Sequence, residues 1–284
     1  MKAVIPAAGM GTRFLPMTKN SPKEMLPIID KPAIQYVVEE AARSGIEDMV
    51  IVTGRGKEII ENHFDIAYEL EHVLGSRNDR EKLAEIRHIA EIADIFYVRQ
   101  KIPLGLGHAI YMARKHVGDE PFAVLLGDDI IVSEEPCLKQ LMRVHQRYGA
   151  SVIAVQEVAR EDVSKYGIVA FEEVDDHLFR IKDVVEKPDA DEAPSRLAIM
   201  GRYIFSPEIF DCIARTKPGK NDEIQLADAL NLLLEKEEVY GYAFTGTRYD
   251  LGDKFDWLRI NIEMALQRDE FREKMRELLK KLQQ

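Results

Sequence analysis

Short, continuously apolar segments recur through the first half of the chain, and longer segments with helical spacing lie between them. This alternation limits the possible folds more than any other feature. Apart from Lys2, residues 2–6, 49–53, 95–98 and 122–126 are β-branched or apolar with no polar alternation. Residues 33–44, 57–74, 79–93 and 106–116 carry helical patterns, the middle two rich in charge and long side chains. A strand that is apolar on both faces is buried on both faces, so helices must cover each side of the sheet. Right-handed crossovers then bring the C-terminal ends of the strands to one edge, where ligands bind.

The second half has a different pattern. Residues 151–158, 168–174, 178–185 and 197–205 are β-rich, and Asp175-Asp176 separates two of them as a hairpin turn. Residues 207–214 and 224–236 read as helices, 239–245 as a strand, and 254 onward as helix to the end. Phe255, Leu258, Ile262, Ala265, Phe271, Met275, Leu278 and Leu282 form a broken apolar stripe on that last segment. The stripe packs on the chain's own body or forms a subunit interface. There is no internal repeat and no low-complexity linker. The expected fold is α/β: a Rossmann-like mixed, mainly parallel sheet with helices on both faces, β-rich insertions and a C-terminal helix. A single domain over 1–284 is expected.

Charge narrows the partner classes. The net charge is −11, against the basic footprint that nucleic-acid binding needs. Cys137 and Cys212 lie far apart, which excludes a disulfide framework or a cysteine zinc site. No apolar run is long enough to span a bilayer, and residues 1–5 lead into a strand pattern instead of a signal peptide. A cytoplasmic protein is expected, with no nucleic-acid or membrane partner.

The most informative stretch follows the first strand: Ala7-Ala8-Gly9-Met10-Gly11-Thr12-Arg13. Two glycines permit a tight turn and close approach of backbone N–H groups to a phosphate. Phe14 stands where a dinucleotide fingerprint needs a third glycine, and no Gly-Lys-Ser/Thr follows, so neither that motif nor a P-loop is present. The loop delivers Arg13 and, past Pro16, Thr18 and Pro22, Lys23. Arg offers a planar fork and Lys a compact charge to phosphate oxygens. An ordinary glycine turn with solvated cations is the alternative. Within residues 1–31, Lys2, Arg13, Lys19, Lys23 and Lys31 face only Glu24 and Asp30, so the cations of an acidic chain are concentrated here. Gly127-Asp128-Asp129 closes the fourth strand. A carboxylate there suits Mg²⁺ beside phosphate, or merely caps a turn. Glu186-Lys187-Pro188 is a surface charge pair or a second anion site, with Pro188 expected to hold Lys187 extended.

Gly9-Met10-Gly11-Thr12-Arg13, Pro16, Thr18 and Pro22-Lys23-Glu24-Met25-Leu26-Pro27 resemble the opening of the sugar-nucleotidyltransferase superfamily. More narrowly, the chain is similar to the prokaryotic-type UTP–glucose-1-phosphate uridylyltransferases, also called UDP-glucose pyrophosphorylases. The likeness continues through Val98-Arg99-Gln100-Lys101, Gly105-Leu106-Gly107-His108-Ala109, Leu126-Gly127-Asp128-Asp129 and Tyr166-Gly167-Ile168-Val169. It ends with Val185-Glu186-Lys187-Pro188, Gly201-Arg202-Tyr203 and Tyr249-Asp250-Leu251-Gly252. Asn20-Ser21 departs from the usual small or hydrophobic residues, as a loop difference.

The resemblance implies that UTP and glucose 1-phosphate give UDP-glucose and pyrophosphate. It implies a nucleotide half (1–130), a sugar-phosphate half (131–253), a C-terminal helical segment (254–284) and a homodimer or homotetramer. Arg13 and Lys23 would stabilise the triphosphate and the leaving pyrophosphate. Asp128 and, by resemblance alone, Asp250 would hold Mg²⁺, while Asp129 points elsewhere. Lys187 would hold the sugar phosphate, and Glu186 would accept from sugar hydroxyls. Ala8, Gly9 and Gly11 would contact the nucleotide; Gln100 and Gly105 would hold the base, since a glutamine amide can match the edge of uracil. Gly167 and Gly201 would line the sugar site. His108 is read as structural, and the other histidines are given no role. The attacking phosphate is already largely a dianion, so no general base is needed. The alternatives are the same chemistry on another substrate such as dTTP, or a non-catalytic paralogue that binds nucleotide sugar.

Overall fold

The computed structural model describes residues 1–219 and 222–283. The first half runs β1 (Lys2–Pro6), β2 (Pro27–Ile28), β3 (Lys31–Pro32), α1 (Ala33–Arg43), β4 (Asp48–Thr53), α2 (Glu58–Phe64), α3 (Tyr68–Ser76), α4 (Arg80–Ala90), β5 (Asp94–Arg99), α5 (Leu106–Met112), α6 (Arg114–Val117) and β6 (Phe122–Leu125). The second half runs β7 (Asp129–Val132), α7 (Cys137–Tyr148), β8 (Ser151–Glu157), β9 (Gly167–Asp175), β10 (Leu178–Glu186), β11 (Leu197–Phe205), α8 (Glu208–Arg215), α9 (Leu226–Leu234), β12 (Val239–Ala243), β13 (Thr247–Asp250), α10 (Lys254–Gln267) and α11 (Asp269–Leu282).

The main sheet has the order β5-β4-β1-β6-β11-β8-β12-β10-β9. The α/β architecture with a mixed sheet matches the sequence reading. Strands β5, β4, β1 and β6 pair in parallel, as do β8 and β12. The remaining neighbours are antiparallel; of these only β9 and β10 are joined by a short turn, which allows no crossover. Strand residues alternate between two cores. Ala3, Ile5, Met49 and Ile51 pack with α1, α2 and α7 on one face; Val4, Val50 and Val52 pack with α5, α8 and α9 on the other.

Several helices differ from their expected extents. The pattern over 57–74 splits into α2 and α3, because residues 65–67 leave the helix. The helix expected from 106 to 116 is broken at Ala113 into α5 and α6. The C-terminal helix is two helices, since Arg268 adopts extended backbone between α10 and α11; Gln284 lies outside the described residues. No element was expected over 137–148, where α7 forms. Its polar residues Lys139, Gln140, Arg143, His145, Gln146 and Arg147 mask the buried apolar set Cys137, Leu138, Leu141 and Val144, in which 137, 141 and 144 follow a 4–3 spacing.

Candidate active site

The nucleotide side of the site is built from successive strand ends. Ala8, Gly9 and Met10 follow β1, Gly54 to Lys57 follow β4, and Gln100, Lys101 and Pro103 follow β5; together they line one cavity. Gly11 has φ +65°, and a side chain there would press on Lys23 Cβ at 3.2 Å and Thr18 Cγ2 at 3.3 Å. The glycine therefore permits both the left-handed turn and the approach of Lys23. Phe14 meets Trp257 of α10 edge-on at 6.3 Å, which fixes this loop to the C-terminal helices.

Lys23 pairs with Asp128. Burial works against the charge on Lys23, but Asp128 and then Glu24 outweigh it, so its pKa stands above that of a free lysine. Burial likewise pushes the Asp128 carboxyl up, and Lys23 more than reverses this, leaving it below the usual carboxylate range. Glu24 accepts from Lys57 Nζ at 2.7 Å, both side chains being almost fully buried. Burial raises Glu24 and lowers Lys57, each partly countered by its partner. Glu24 and Lys57 were not read as site residues; their pairing across the loops after β1 and β4 leaves no local signal.

The second carboxylate arrives on a ribbon that the sequence reading did not resolve. Strand β13 pairs antiparallel with β7, placing Asp250 opposite Asp129, and Leu251 N donates to Asp128 O at 2.9 Å. Gly252 N donates to Asp250 Oδ1 at 2.7 Å. Arg248 joins the parts: Nε donates to Asp129 Oδ1 at 2.6 Å and Nη1 to Tyr166 Oη at 3.1 Å, with Nη2 3.6 Å from Asp250 Oδ2. The period of two along β13 puts Arg248 and Asp250 on one face, which is the signal that could have identified this arginine. Burial lifts the Asp250 carboxyl; Arg248 opposes it and Asp129 adds to it. Asp128 and Asp250, from different halves of the chain, could together hold a divalent cation that brings oxygen ligands of its own. Among the described residues no cluster of three or more metal-type side chains exists. Asp129 is spent elsewhere, as expected: Oδ2 accepts from Gly201 N at 2.8 Å.

Arg13, Tyr166, Lys187, Asp250 and Gly252 line a second cavity. Tyr166 and Lys187 also line a third, with Gly167, Glu186, Ile199 and Tyr203. Lys187 pairs with Glu186. The expectation of an extended Lys187 is corrected: its φ is +46°, in the left-handed region. Strand β10 ends at Glu186, and Lys187 N donates to Tyr166 O at 3.0 Å, so this turn outweighs the extended preference before proline. Gly201 sits beside Asp129. It is buried in β11, its N–H is taken by Asp129, and an added Cβ would stand 2.5 Å from Asp129 Oδ2; its missing side chain makes room for Asp129.

Comparison with known proteins agrees with this geometry. The nucleotidyl transferase family profile matches residues 2–266. The chain belongs to the nucleotidyl transferase family. A relative from Bacillus subtilis (strain 168), the UTP–glucose-1-phosphate uridylyltransferase YngB, is 54% identical over 96% of this chain and 92% of that protein. Among solved structures, a UDP-glucose pyrophosphorylase complexed with UDP-glucose is 47% identical with TM-score 0.87, covering 94% of this chain and 99% of the other. The UTP-bound enzyme from Acinetobacter baumannii is 37% identical with TM-score 0.91, covering 98% of both. The chain is thus a nucleotidyl transferase over nearly its whole length.

Proposed function

We propose that this nucleotidyl transferase transfers UMP from UTP to glucose 1-phosphate and releases pyrophosphate. The observation that supports the reading is one cavity lined by Arg13, Lys187 and Asp250, together with the Lys23–Asp128 pair. A phosphate oxygen of glucose 1-phosphate attacks the α-phosphorus of UTP, and the bond to the β-phosphate oxygen breaks as pyrophosphate leaves. The attacking group needs no base, so the protein's work is charge neutralisation and in-line positioning.

Backbone at Ala8, Gly9 and Gly11 receives the nucleotide, and Gln100 and Gly105 hold the uracil. Arg13 and Lys23 neutralise the triphosphate and then the leaving pyrophosphate. Lys187 holds the attacking phosphate, Glu186 accepts from sugar hydroxyls, and Gly167 leaves room for the ring. Asp128 and Asp250 hold Mg²⁺, which supplies Lewis-acid neutralisation of phosphate charge. The place of action is the cytoplasm, in keeping with two unpaired buried thiols at Cys137 and Cys212. Exposed Phe255, Leu258 and Ile262 on α10 support a dimer or tetramer.

The test is pyrophosphate release across UTP, dTTP and CTP with several sugar 1-phosphates, in Mg²⁺ and in EDTA. The expected pattern is strong turnover only for UTP with glucose 1-phosphate and Mg²⁺. Lys187→Ala should raise the KM for glucose 1-phosphate at least tenfold more than that for UTP, an order-of-magnitude figure for a lost charge-assisted contact. Near-normal rates for both Lys187→Ala and Asp128→Asn at subsaturating substrate overturn the reading.

A further inference from the structure

We propose that His108 is a positioning residue for base recognition, fixing the Gln100 amide so that Oε1 alone faces the base. The proposal rests on the reading of Gln100 as the base contact. It goes beyond that reading by assigning the amide's orientation and the residue that enforces it.

Gln100 follows β5, where its backbone N–H donates to Thr53 O at 2.8 Å, and its side chain is buried on the wall of the nucleotide cavity. Nε2 lies 3.1 Å from Gly105 O and 2.9 Å from His108 Nδ1. A backbone carbonyl can only accept, so the amide must turn its NH₂ toward Gly105. The second hydrogen of that NH₂ then points at His108 Nδ1. That nitrogen must accept it, which makes the imidazole neutral with its proton on Nε2. Burial disfavours the imidazolium at this position, in the same direction.

Both donors of Gln100 are therefore spent within the loop. Oε1 accepts nothing from the described residues. A lone acceptor at the pairing edge of a pyrimidine meets the N3–H of uracil. Against cytosine it meets the unprotonated N3, lone pair against lone pair. Without His108 the amide keeps one tether, Gly105 O, and can rotate away from the selective pose. The ring of His108 thus makes a symmetric-looking amide into a fixed acceptor, and selection against cytosine follows from leaving that acceptor unpaired.

The full-length protein is assayed with UTP, CTP and glucose 1-phosphate. His108→Phe keeps a ring but removes the acceptor; His108→Asn places Oδ1 where Nδ1 stood. His108→Phe should raise the KM for UTP about tenfold and lower the UTP-over-CTP ratio of kcat/KM about tenfold, the scale of one hydrogen bond. The kcat and the KM for glucose 1-phosphate should stay near wild type, and His108→Asn should recover most of the loss. A wild-type ratio in His108→Phe, alongside a lowered ratio in Gln100→Leu, overturns the role of His108. An unchanged ratio in Gln100→Leu overturns the base contact itself. If His108→Phe does not fold, ¹⁵N spectra of the wild-type imidazoles decide: a proton on Nδ1 of His108 at neutral pH sinks the proposal.

Discussion

Two ionic clusters meet at the adjacent residues Asp128 and Asp129, and they differ in whether their hydrogen-bonding capacity is used up. Arg202 is fully buried and donates to both Glu40 oxygens, at 3.1 and 3.0 Å from Nε and 2.7 Å from Nη2. Its remaining donors reach Asp129 O at 2.7 Å, Gly201 O at 2.9 Å and Leu126 O at 3.5 Å. Glu40 also accepts from Leu138 N at 3.0 Å. Nothing in that cluster is left for a ligand; it locks α1, β11, β7 and α7 together. Lys23 donates to one acceptor, Asp128, whose side chain is 24% exposed. Among the described residues, two ammonium hydrogens and several carboxylate lone pairs have no partner. A saturated cluster holds the fold, and an unsaturated one beside a cavity is ready for phosphate and a cation.

Breaking the saturated cluster should give the largest effect. Arg202→Met leaves Glu40 charged and unpaired in the core, so urea denaturation should show about 3–5 kcal/mol of lost stability. A loss under 1 kcal/mol would erase the distinction drawn above. Asp128→Asn tests the other side: kcat/KM should fall at least about a hundredfold, while the urea midpoint moves far less than for Arg202→Met. Gly252→Ala is subtler. A Cβ there would stand 2.5 Å from Arg13 Nη1 and 2.8 Å from Asp250 Oδ1, so Arg13 must shift. Turnover should drop about tenfold with unchanged thermal midpoint, the scale expected of a misplaced positioning group; equal rates would show that Arg13 has slack.

The smallest effect belongs to a cluster that is closed but wet. Arg268 donates to both Asp30 oxygens at 2.6 Å, yet the Asp30 side chain is 64% exposed. The hydrogen bond from Arg268 is the main cause that lowers the Asp30 carboxyl. A depressed folded-state pKa contributes stability above the unfolded carboxylate range, lost as pH falls through the folded value. Arg268→Ala should therefore cost at most about 1 kcal/mol at neutral pH and nothing in strong acid. A cost that persists in acid would mean the arginine acts by packing.

Legibility in the sequence follows the range of the interaction. The strands of the parallel half were readable because burial on both faces leaves continuous apolar runs. The loops after β1, β5 and β6 were readable because glycines, Arg13, Gln100 and Asp128 sit at strand ends, where the fold collects ligands. Arg202 with Glu40, and Glu24 with Lys57, were not, since each pair joins elements distant in the chain. Lys187 misled for a local reason: the proline rule describes the dipeptide, while the backbone hydrogen bond that Lys187 N donates to Tyr166 O accompanies a left-handed conformation. His108 was read as structural, and its meaning lies in the amide it faces.

The β7–β13 ribbon has a consequence for the order in which activity is acquired. It pairs Asp129 with Asp250, so the centre is assembled from both ends of a long loop in chain order. During synthesis the first half can lay down Lys23, Asp128 and the nucleotide cavity well before Asp250 leaves the ribosome. The ribbon must close in register, because a one-residue slip would turn Asp250 to the opposite side.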